Sequence, residues 1–316
     1  MQMDKSFQCS NLRKMLNNLI TINQCDIKDL KEIISLGRGF KSGQKKEPLR
    51  NKTAVLLFDK PSLRTKLSFM IGIEKLGGNA IYFSPEEVGM GNREPIKDVS
   101  TVISKMADLS IIRTFGQKII EEYLDASSIP VINALTNEQH PCQALADIMT
   151  ITEHVGDIEN KNIVFIGDGN NVARSLSYAV IKLGGNFKIA SPKNYFLDSK
   201  TVTLLNKDLS KNTLTQTSDI EQIIEGADIV YTDVWTSMGQ EKENNKRLLD
   251  FKGFQVTSSL LDKASNNVKF MHDLPAHPGE EIEEGLLYDK RSIVFDQSEN
   301  RLWAQMGLID YIFSNM

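Results

Sequence analysis

Residues Thr53 to Lys66 read TAVLLFDKPSLRTK. The run Thr53 to Phe58 is almost wholly apolar and short, which suits a strand buried on both faces. DKPS follows as a turn. A helix then runs from about Arg64 to Leu76 and stops at Gly77-Gly78. Strand, turn and helix in that order form the unit of parallel α/β architecture.

The rhythm extends in both directions. Upstream, Leu12 to Ile20 and Ile27 to Leu36 read as amphipathic helices. Downstream, Ala80 to Phe83 is a strand, Ile96 to Met106 a helix, Leu109 to Arg113 a strand and Lys118 to Ala126 a helix, and Val131-Ile132 opens another strand. A long helix spans His140 to His154. The pattern then restarts with a strand at Ile163 to Ile166, the turn GDGNN at Gly167 to Asn171, a helix ending at Gly184-Gly185, and a strand at Phe187 to Ala190. Ile229 to Thr232, Gln255 to Thr257 and Val268 to Met271 are later strands, and Glu299 to Phe313 is a final helix able to pack back on the first unit. A chain of 316 residues fits two domains at roughly 150 residues each. The expected fold is α/β: two doubly wound parallel-sheet domains joined by interdomain helices, with the active site in the cleft. The expected division is 1–144 plus 292–316 against 145–291.

Composition narrows the function. The chain is 41% hydrophobic and 25% charged, with a net charge of -4, which gives no support for a nucleic-acid or anionic-membrane partner. Three cysteines, Cys9, Cys25 and Cys142, are too few and too scattered for a disulfide framework or a zinc site. The polar N-terminus lacks the apolar core of a secretory signal, and no run approaches the roughly 18 apolar residues of a membrane span. A cytoplasmic protein is expected.

Three clusters carry chemistry. Ser62-Leu63-Arg64-Thr65-Lys66 opens a helix after a buried strand. Unpaired N–H groups there bind phosphate, and the hydroxyls and Arg64 add donors. The plainer reading is an ordinary helix start capped by Ser62. Arg113-Thr114-Phe115 follows the strand LSIIR, at the end of a parallel strand where α/β proteins bind ligands. The alternative is a surface arginine. His140-Pro141-Cys142-Gln143 opens the long helix, where the imidazole can donate to a carbonyl oxygen and Gln143 can read an amide. A lone histidine at a helix start is more often a cap.

Taken together and in this order, the clusters resemble the aspartate/ornithine carbamoyltransferase superfamily, whose pattern is S-x-R-T-R, an arginine after a strand, then H-P-x-Q. YTDVWTSMGQE at Tyr231 to Glu241 is similar to the Asp-x-x-x-Ser-Met-Gly loop of the ornithine branch. GDGNN, HDLPAHPGEE at His272 to Glu281, and Glu299-Asn300-Arg301 extend the likeness over roughly residues 50 to 310.

The resemblance implies transfer of a carbamoyl group from carbamoyl phosphate to the side-chain amine of L-ornithine, giving L-citrulline and phosphate, without metal or other cofactor. It implies that Ser62, Leu63, Arg64 and Thr65 hold the phosphate, and that Arg113, His140, Gln143 and Arg301 hold the carbamoyl end. It places ornithine against Asn171, Asp233, Ser237, Met238, Asp273 and Leu274, and assigns catalysis to Arg113, His140, Asp273 and Arg301. It further implies a homotrimer in which a neighbouring subunit's loop, here Arg93, completes each site, and a place in arginine biosynthesis.

The chain departs from the pattern at several points. Asp273 stands where the ornithine enzymes have Cys in His-Cys-Leu-Pro. A carboxylate there can hold the amine charged, pair with Arg301, or accept a proton, so an altered pH profile or rate is expected. Lys66 replaces an arginine and loses the planar fork. Leu63 replaces a threonine, and Gly89 stands where a glutamine is expected before Gly91-Asn92-Arg93-Glu94. Three rivals follow. A nicotinamide dehydrogenase is opposed by GDGNN, which lacks G-x-G-x-x-G. A putrescine or other amine carbamoyltransferase differs only at the amino-acid end of the acceptor. A ligand-binding homologue with impaired turnover is the reading that Asp273 keeps open. Trp303, Tyr311 and Phe313 read as core, Cys142 as an inert buried thiol, and Lys242 to Arg247 as a solvated loop.

Overall fold

The computed structural model describes residues 16–91, 93–209 and 212–316. The decisive stretch folds as read, with β1 at Thr53–Phe58 and α2 at Leu63–Lys75. Before them lies α1, Ile27–Lys41. The rest of the first half comprises β2 (Asn79–Phe83), α3 (Pro85–Val88), α4 (Ile96–Met106), β3 (Leu109–Arg113), α5 (Gln117–Ala126), β4 (Val131–Leu135) and α6 (Pro141–His154). The second half comprises β5 (Asn162–Ile166), α7 (Asn171–Lys182), β6 (Asn186–Ala190), α8 (Ser199–Asp208), β7 (Leu214–Thr217), α9 (Glu221–Ile224), β8 (Ile229–Thr232), α10 (Asn244–Asp250), α11 (Ser258–Leu261), β9 (Lys269–His272) and α12 (Val294–Ser314).

The strands form two all-parallel sheets, ordered β2-β1-β3-β4 and β7-β6-β5-β8-β9. The central strands are continuous apolar runs because helices cover both faces. β3 and β8 are buried at every residue. Each sheet winds outward from its first strand on one side and then on the other. The first therefore opens a crevice between the ends of β1 and β3, where Phe58 pairs with Arg113. The second opens one between β5 and β8, where Ile166 pairs with Thr232. Ligands of open parallel sheets bind at such switch points.

Several expectations need correction. Residues 16–20 are not helical: Leu19 bridges to Ile132. The first part of that expected helix, Leu12 to Met15, lies outside the described residues, as does Cys9. Gln255 to Thr257 is not a strand, and only Val256 forms a bridge, to Ile282. β7 and α8 escaped the reading. β7 reads LTQT and is half-buried at the sheet edge, so it has no apolar run to announce it. α12 begins at Val294, five residues ahead of the expected Glu299.

α12 carries Arg301 and packs against α1, α2 and α6. Two glycines let α1 and α12 cross at backbone contact. A Cβ on Gly307 would collide with the Ile33 carbonyl oxygen and stand 2.6 Å from the Gly37 nitrogen. Polar ties fix the crossing: Lys41 Nζ donates to Asn300 Oδ1 at 2.9 Å and the Tyr311 hydroxyl to Asp29 Oδ1 at 2.6 Å. Tyr311 is buried, with Trp303 and Phe313 partly buried against the same core. Among the described residues, no helix is long and apolar enough to cross a membrane.

Candidate active site

Ser62 caps α2, its Oγ accepting from the Thr65 N–H at 3.3 Å. The capping reading is therefore correct locally, and it also fixes the helix N-terminus that faces the crevice. The Leu63 side chain is exposed, so only its backbone N–H is available to the site. Arg64 leaves this turn and donates Nη2 to the Leu274 carbonyl at 2.5 Å, linking the end of β1 to the segment after β9.

Arg113 ends β3 and is buried. The surface-arginine alternative is thereby excluded. Burial, and then the charge of Arg301, lower its pKa to about 10, which leaves it cationic at neutral pH. Arg301 comes from α12, also buried, with Nη1 donating to Gln143 Oε1 at 2.6 Å and Nη2 to Thr65 Oγ1 at 2.9 Å. The Nε groups of both arginines have no protein partner among the described residues. Buried donors left over on buried cations are what an anionic ligand needs.

His140 precedes Pro141 and opens α6. Its backbone N–H donates to Ser175 Oγ at 2.8 Å, and Ser175 Oγ donates to Gln139 Oε1 at 2.9 Å. Burial, with Arg301 and Arg113 nearby, holds the imidazole well below its usual pKa. It is a neutral ring at pH 7, able to donate one N–H to a carbonyl oxygen without adding charge.

The second sheet supplies the opposite charge. Asp233 follows β8; its Oδ2 accepts from Asn170 at 2.7 Å and its Oδ1 from the Val234 N–H at 2.7 Å. Asp273 follows β9 and is enclosed. Desolvation raises its pKa well above the carboxylate range, and the charge and hydrogen bond of Asp233 and the charge of Asp147 raise it further, while Arg301 opposes them. Beside Asp233, the Asp273 carboxyl favours its protonated form. His272 does not neutralise Asp273. Its Nδ1 accepts from the Leu274 N–H at 2.9 Å and its Nε2 lies 3.1 Å from Glu281 Oε1. The ring therefore carries its proton on Nε2, and the 3.6 Å approach of Asp273 to Nδ1 is no ion pair. Leu274 has φ of 60°, a left-handed conformation costing about 1–2 kcal/mol in a leucine. The bonds from Arg64 and to His272 hold it there.

The structure thus brings together Thr65, Arg113, His140, Gln143 and Arg301, with Arg64 reaching across to Leu274, and Asp233 beside Asp273. Other expected residues sit differently. Asn171 donates Nδ2 to the Thr136 carbonyl at 2.6 Å, and its neighbour Asn170 is the one that holds Asp233. Ser237 is half-buried, with its N–H on Gln240 Oε1 at 3.2 Å, while Met238 is exposed. A Cβ added at Gly239 would stand 3.7 Å from the Phe115 ring, so this loop lies beside the first half. Arg93 is exposed in a turn whose ends, Met90 and Glu94, bridge; it does not join the buried cluster. The solvated-loop reading of 242–247 is corrected. Asn244 begins α10, and Arg247 is buried, bonding Asp168 at 2.6 Å and the Trp235 carbonyl at 2.9 Å. Trp235 stacks on Phe251, with ring centroids 5.5 Å apart.

Sequence reasoning missed Lys60 and Asp147. Lys60 is buried, donates to Asn137 Oδ1 at 2.5 Å and lies 4.3 Å from the Phe115 ring centroid. Burial and then Arg113 lower its pKa to about 8. Its place in the turn DKPS gave no signal of burial.

This geometry sets a cationic end with a neutral imidazole against a pair of carboxyls. The comparisons match both halves. The family model described as "Aspartate/ornithine carbamoyltransferase, carbamoyl-P binding domain" covers residues 17–153, and "Aspartate/ornithine carbamoyltransferase, Asp/Orn binding domain" covers 159–312. The chain belongs to the aspartate/ornithine carbamoyltransferase family. An ornithine carbamoyltransferase of Hydrogenovibrio crunogenus is 40% identical over 303 residues, 95% of this chain and 99% of that one. The solved ornithine carbamoyltransferase of Pyrococcus furiosus superposes with a TM-score of 0.92 at 35% identity, covering 96% of this chain and 98% of that one. The anabolic ornithine carbamoyltransferase of Campylobacter jejuni gives 0.91 at 29% identity, covering 95% and 100%. Within this family Arg64, Arg113, His140 and Gln143 fall in the carbamoyl-P match, while Asn171, Asp233, Asp273 and Arg301 fall in the Asp/Orn match.

Proposed function

We propose that the protein is an ornithine carbamoyltransferase, converting carbamoyl phosphate and L-ornithine to L-citrulline and phosphate. The observation that carries this reading is that Arg64, Arg113 and Arg301 stand within charge range of Asp273, which lies beside Asp233, with Arg113, Arg301 and Asp233 buried. One substrate is a dianion with a carbonyl. The other is an amino acid with a cationic side chain.

In this reading Ser62, the Leu63 N–H, Arg64 and Thr65 hold the phosphate. Arg113, His140 and Arg301 polarise the carbonyl oxygen, and Gln143 holds the carbamoyl nitrogen. Asn171, Asp233, Ser237, Met238 and Leu274 hold ornithine, and Asp273 faces its side-chain nitrogen. An alkylammonium has a pKa near ~10.4 and must lose a proton before it attacks. The Asp233–Asp273 pair is placed to take it. The neutral amine then forms the N–C bond, the C–O bond breaks with its electron pair going to phosphate, and one of the two amine protons leaves with the phosphate while the other stays on the citrulline nitrogen. Alignment of the two reactants supplies much of the rate.

The carbamoyl phosphate unit in this reading is 1–144 plus 292–316 and the ornithine unit 145–291, supported by the packing of α12 on α1 and α2. A cytoplasmic homotrimer acting in arginine biosynthesis, with Arg93 reaching the neighbouring subunit's site, completes the reading. Incubation of ¹³C-carbamoyl phosphate with ornithine, followed by NMR, tests it. Equal citrulline and phosphate support the reading; hydrolysis to phosphate alone contradicts it.

A further inference from the structure

Asp147 lies in the middle of α6 and belongs to none of the motifs described above. Its carboxyl is fully buried. Oδ1 accepts from Gln143 Nε2 at 2.8 Å and Gln297 Nε2 at 2.7 Å, with the Tyr231 hydroxyl at 3.5 Å. Oδ2 has no protein partner among the described residues. Burial pushes the group up to about 7, while the donors from Gln143, Gln297 and Tyr231 and the charge of Arg301 oppose the rise. A half-satisfied buried carboxyl is a poor stabiliser compared with an apolar side chain of similar size. Its value must be sought in what it orients.

Each glutamine amide has one accepting and one donating end. Because Gln143 gives Nε2 to Asp147, its Oε1 is turned to Arg301, which donates at 2.6 Å. Because Gln297 gives Nε2 to Asp147 and to the Tyr231 hydroxyl, its Oε1 accepts the His272 N–H at 2.9 Å. One carboxylate oxygen thus sets both amides. Gln143 belongs to the cationic end, and His272 immediately precedes Asp273. The charged and titratable groups around it are Arg301 from α12, Tyr231 from β8 and Asp273 after β9.

We propose that Asp147 is a positioning residue for carbamoyl transfer, fixing the Gln143 amide against Arg301 and, through Gln297, the backbone that presents Asp273. This rests on the carbamoyltransferase reading above. Without Asp147 the NH2 end of the Gln143 amide loses its acceptor, and the amide is held by Arg301 alone.

The test compares Asp147→Asn with Asp147→Leu. Asparagine keeps an accepting oxygen for both amides but cannot titrate; leucine removes the acceptor. The expected result for Asp147→Leu is a fall of about 100-fold in kcat/KM for carbamoyl phosphate, the loss typical of a misplaced reacting group. Asp147→Asn should recover most of that loss and abolish the titration near pH 7 in the pH profile. A folded Asp147→Leu within about threefold of the unsubstituted protein overturns the proposal. So does equal loss in both variants with the titration unmoved. If leucine prevents folding, the pH profile of Asp147→Asn decides alone. If the unsubstituted protein makes no citrulline, the function reading fails by itself, and carbamoyl phosphate affinity measured by calorimetry replaces the rate. Unaltered affinity in both variants would then overturn the positioning role.

Discussion

Replacing Arg301 with methionine removes a guanidinium of similar length without opening a large cavity. The guanidinium donates at 2.6 Å to Gln143 and at 2.9 Å to Thr65, and its buried Nε has no protein partner among the described residues. Loss of one such donor at a developing oxyanion costs about 3–4 kcal/mol, or 10²–10³ in kcat/KM. Stability should respond differently. Gln143 and Thr65 each lose a donor, at about 1–3 kcal/mol apiece. Against that, a buried cation held beside Arg64 disappears, and burial already lowers the pKa of Arg301. The net change in unfolding free energy should therefore fall short of the kinetic loss. There is a second signature. Arg301 is one of the two charges that help burial depress His140, so its removal raises the histidine pKa. If neutral His140 is the active form, the acid limb of kcat/KM moves to higher pH. Citrulline formation against carbamoyl phosphate concentration and pH, with urea unfolding alongside, measures all three. A folded variant within about fivefold of full kcat/KM, with the acid limb in place, would refute the reasoning.

Asp273→Cys takes one carboxyl from the pair assigned to accept the ammonium proton and should lower kcat and shift its pH profile; an unchanged kcat and pH profile would count against that assignment. The raised pKa of Asp273 means that its share of stability is fully present below the unfolded carboxylate value near ~3.9, and is lost as pH rises through the folded value. Urea midpoints at about pH 5 and pH 8 should therefore converge in Asp273→Asn, by roughly 1.4 kcal/mol for each pH unit that the group spans. Gly307→Ala forces a methyl against the Ile33 carbonyl and should cost about 1–3 kcal/mol by urea unfolding; a neutral result would mean that α1 and α12 can separate. Arg247→Met leaves the partly buried Asp168 without its 2.6 Å partner and should cost about 1–3 kcal/mol, seen as a lower Tm, with citrulline formation in the folded fraction the control.

Both sheets were legible because β1, β3, β5 and β8 are short, mostly apolar runs punctuated by glycine pairs and turn residues. β7 was not, because an edge strand needs no apolar face. The motif residues of the site were legible as types at positions, since Arg113 and Asp233 follow strands that end at the two crevices. What those residues touch was not. Nothing in the spacing tells that Asn170 takes Asp233 while Asn171 turns to Thr136. Asp147 looked like one polar residue in a helix. Its importance depends on Gln297, 150 residues away in sequence, and such contacts exist only after both sheets have formed.

The most direct measurement is citrulline or carbamoyl-amine formation with ornithine and with putrescine in parallel, from about pH 6 to pH 10. The two acceptors share the reacting amine and differ in the carboxylate-bearing end that Asn171, Asp233 and Ser237 are assigned to hold. The account predicts turnover with ornithine, rising with pH, and kcat/KM for putrescine lower by at least about 100-fold. Equal use of both amines would contradict the assignment of the ornithine end. Silence with both, in a protein that still binds carbamoyl phosphate, would contradict the claim that the facing of Arg113 and Arg301 against Asp233 and Asp273 makes a working catalyst.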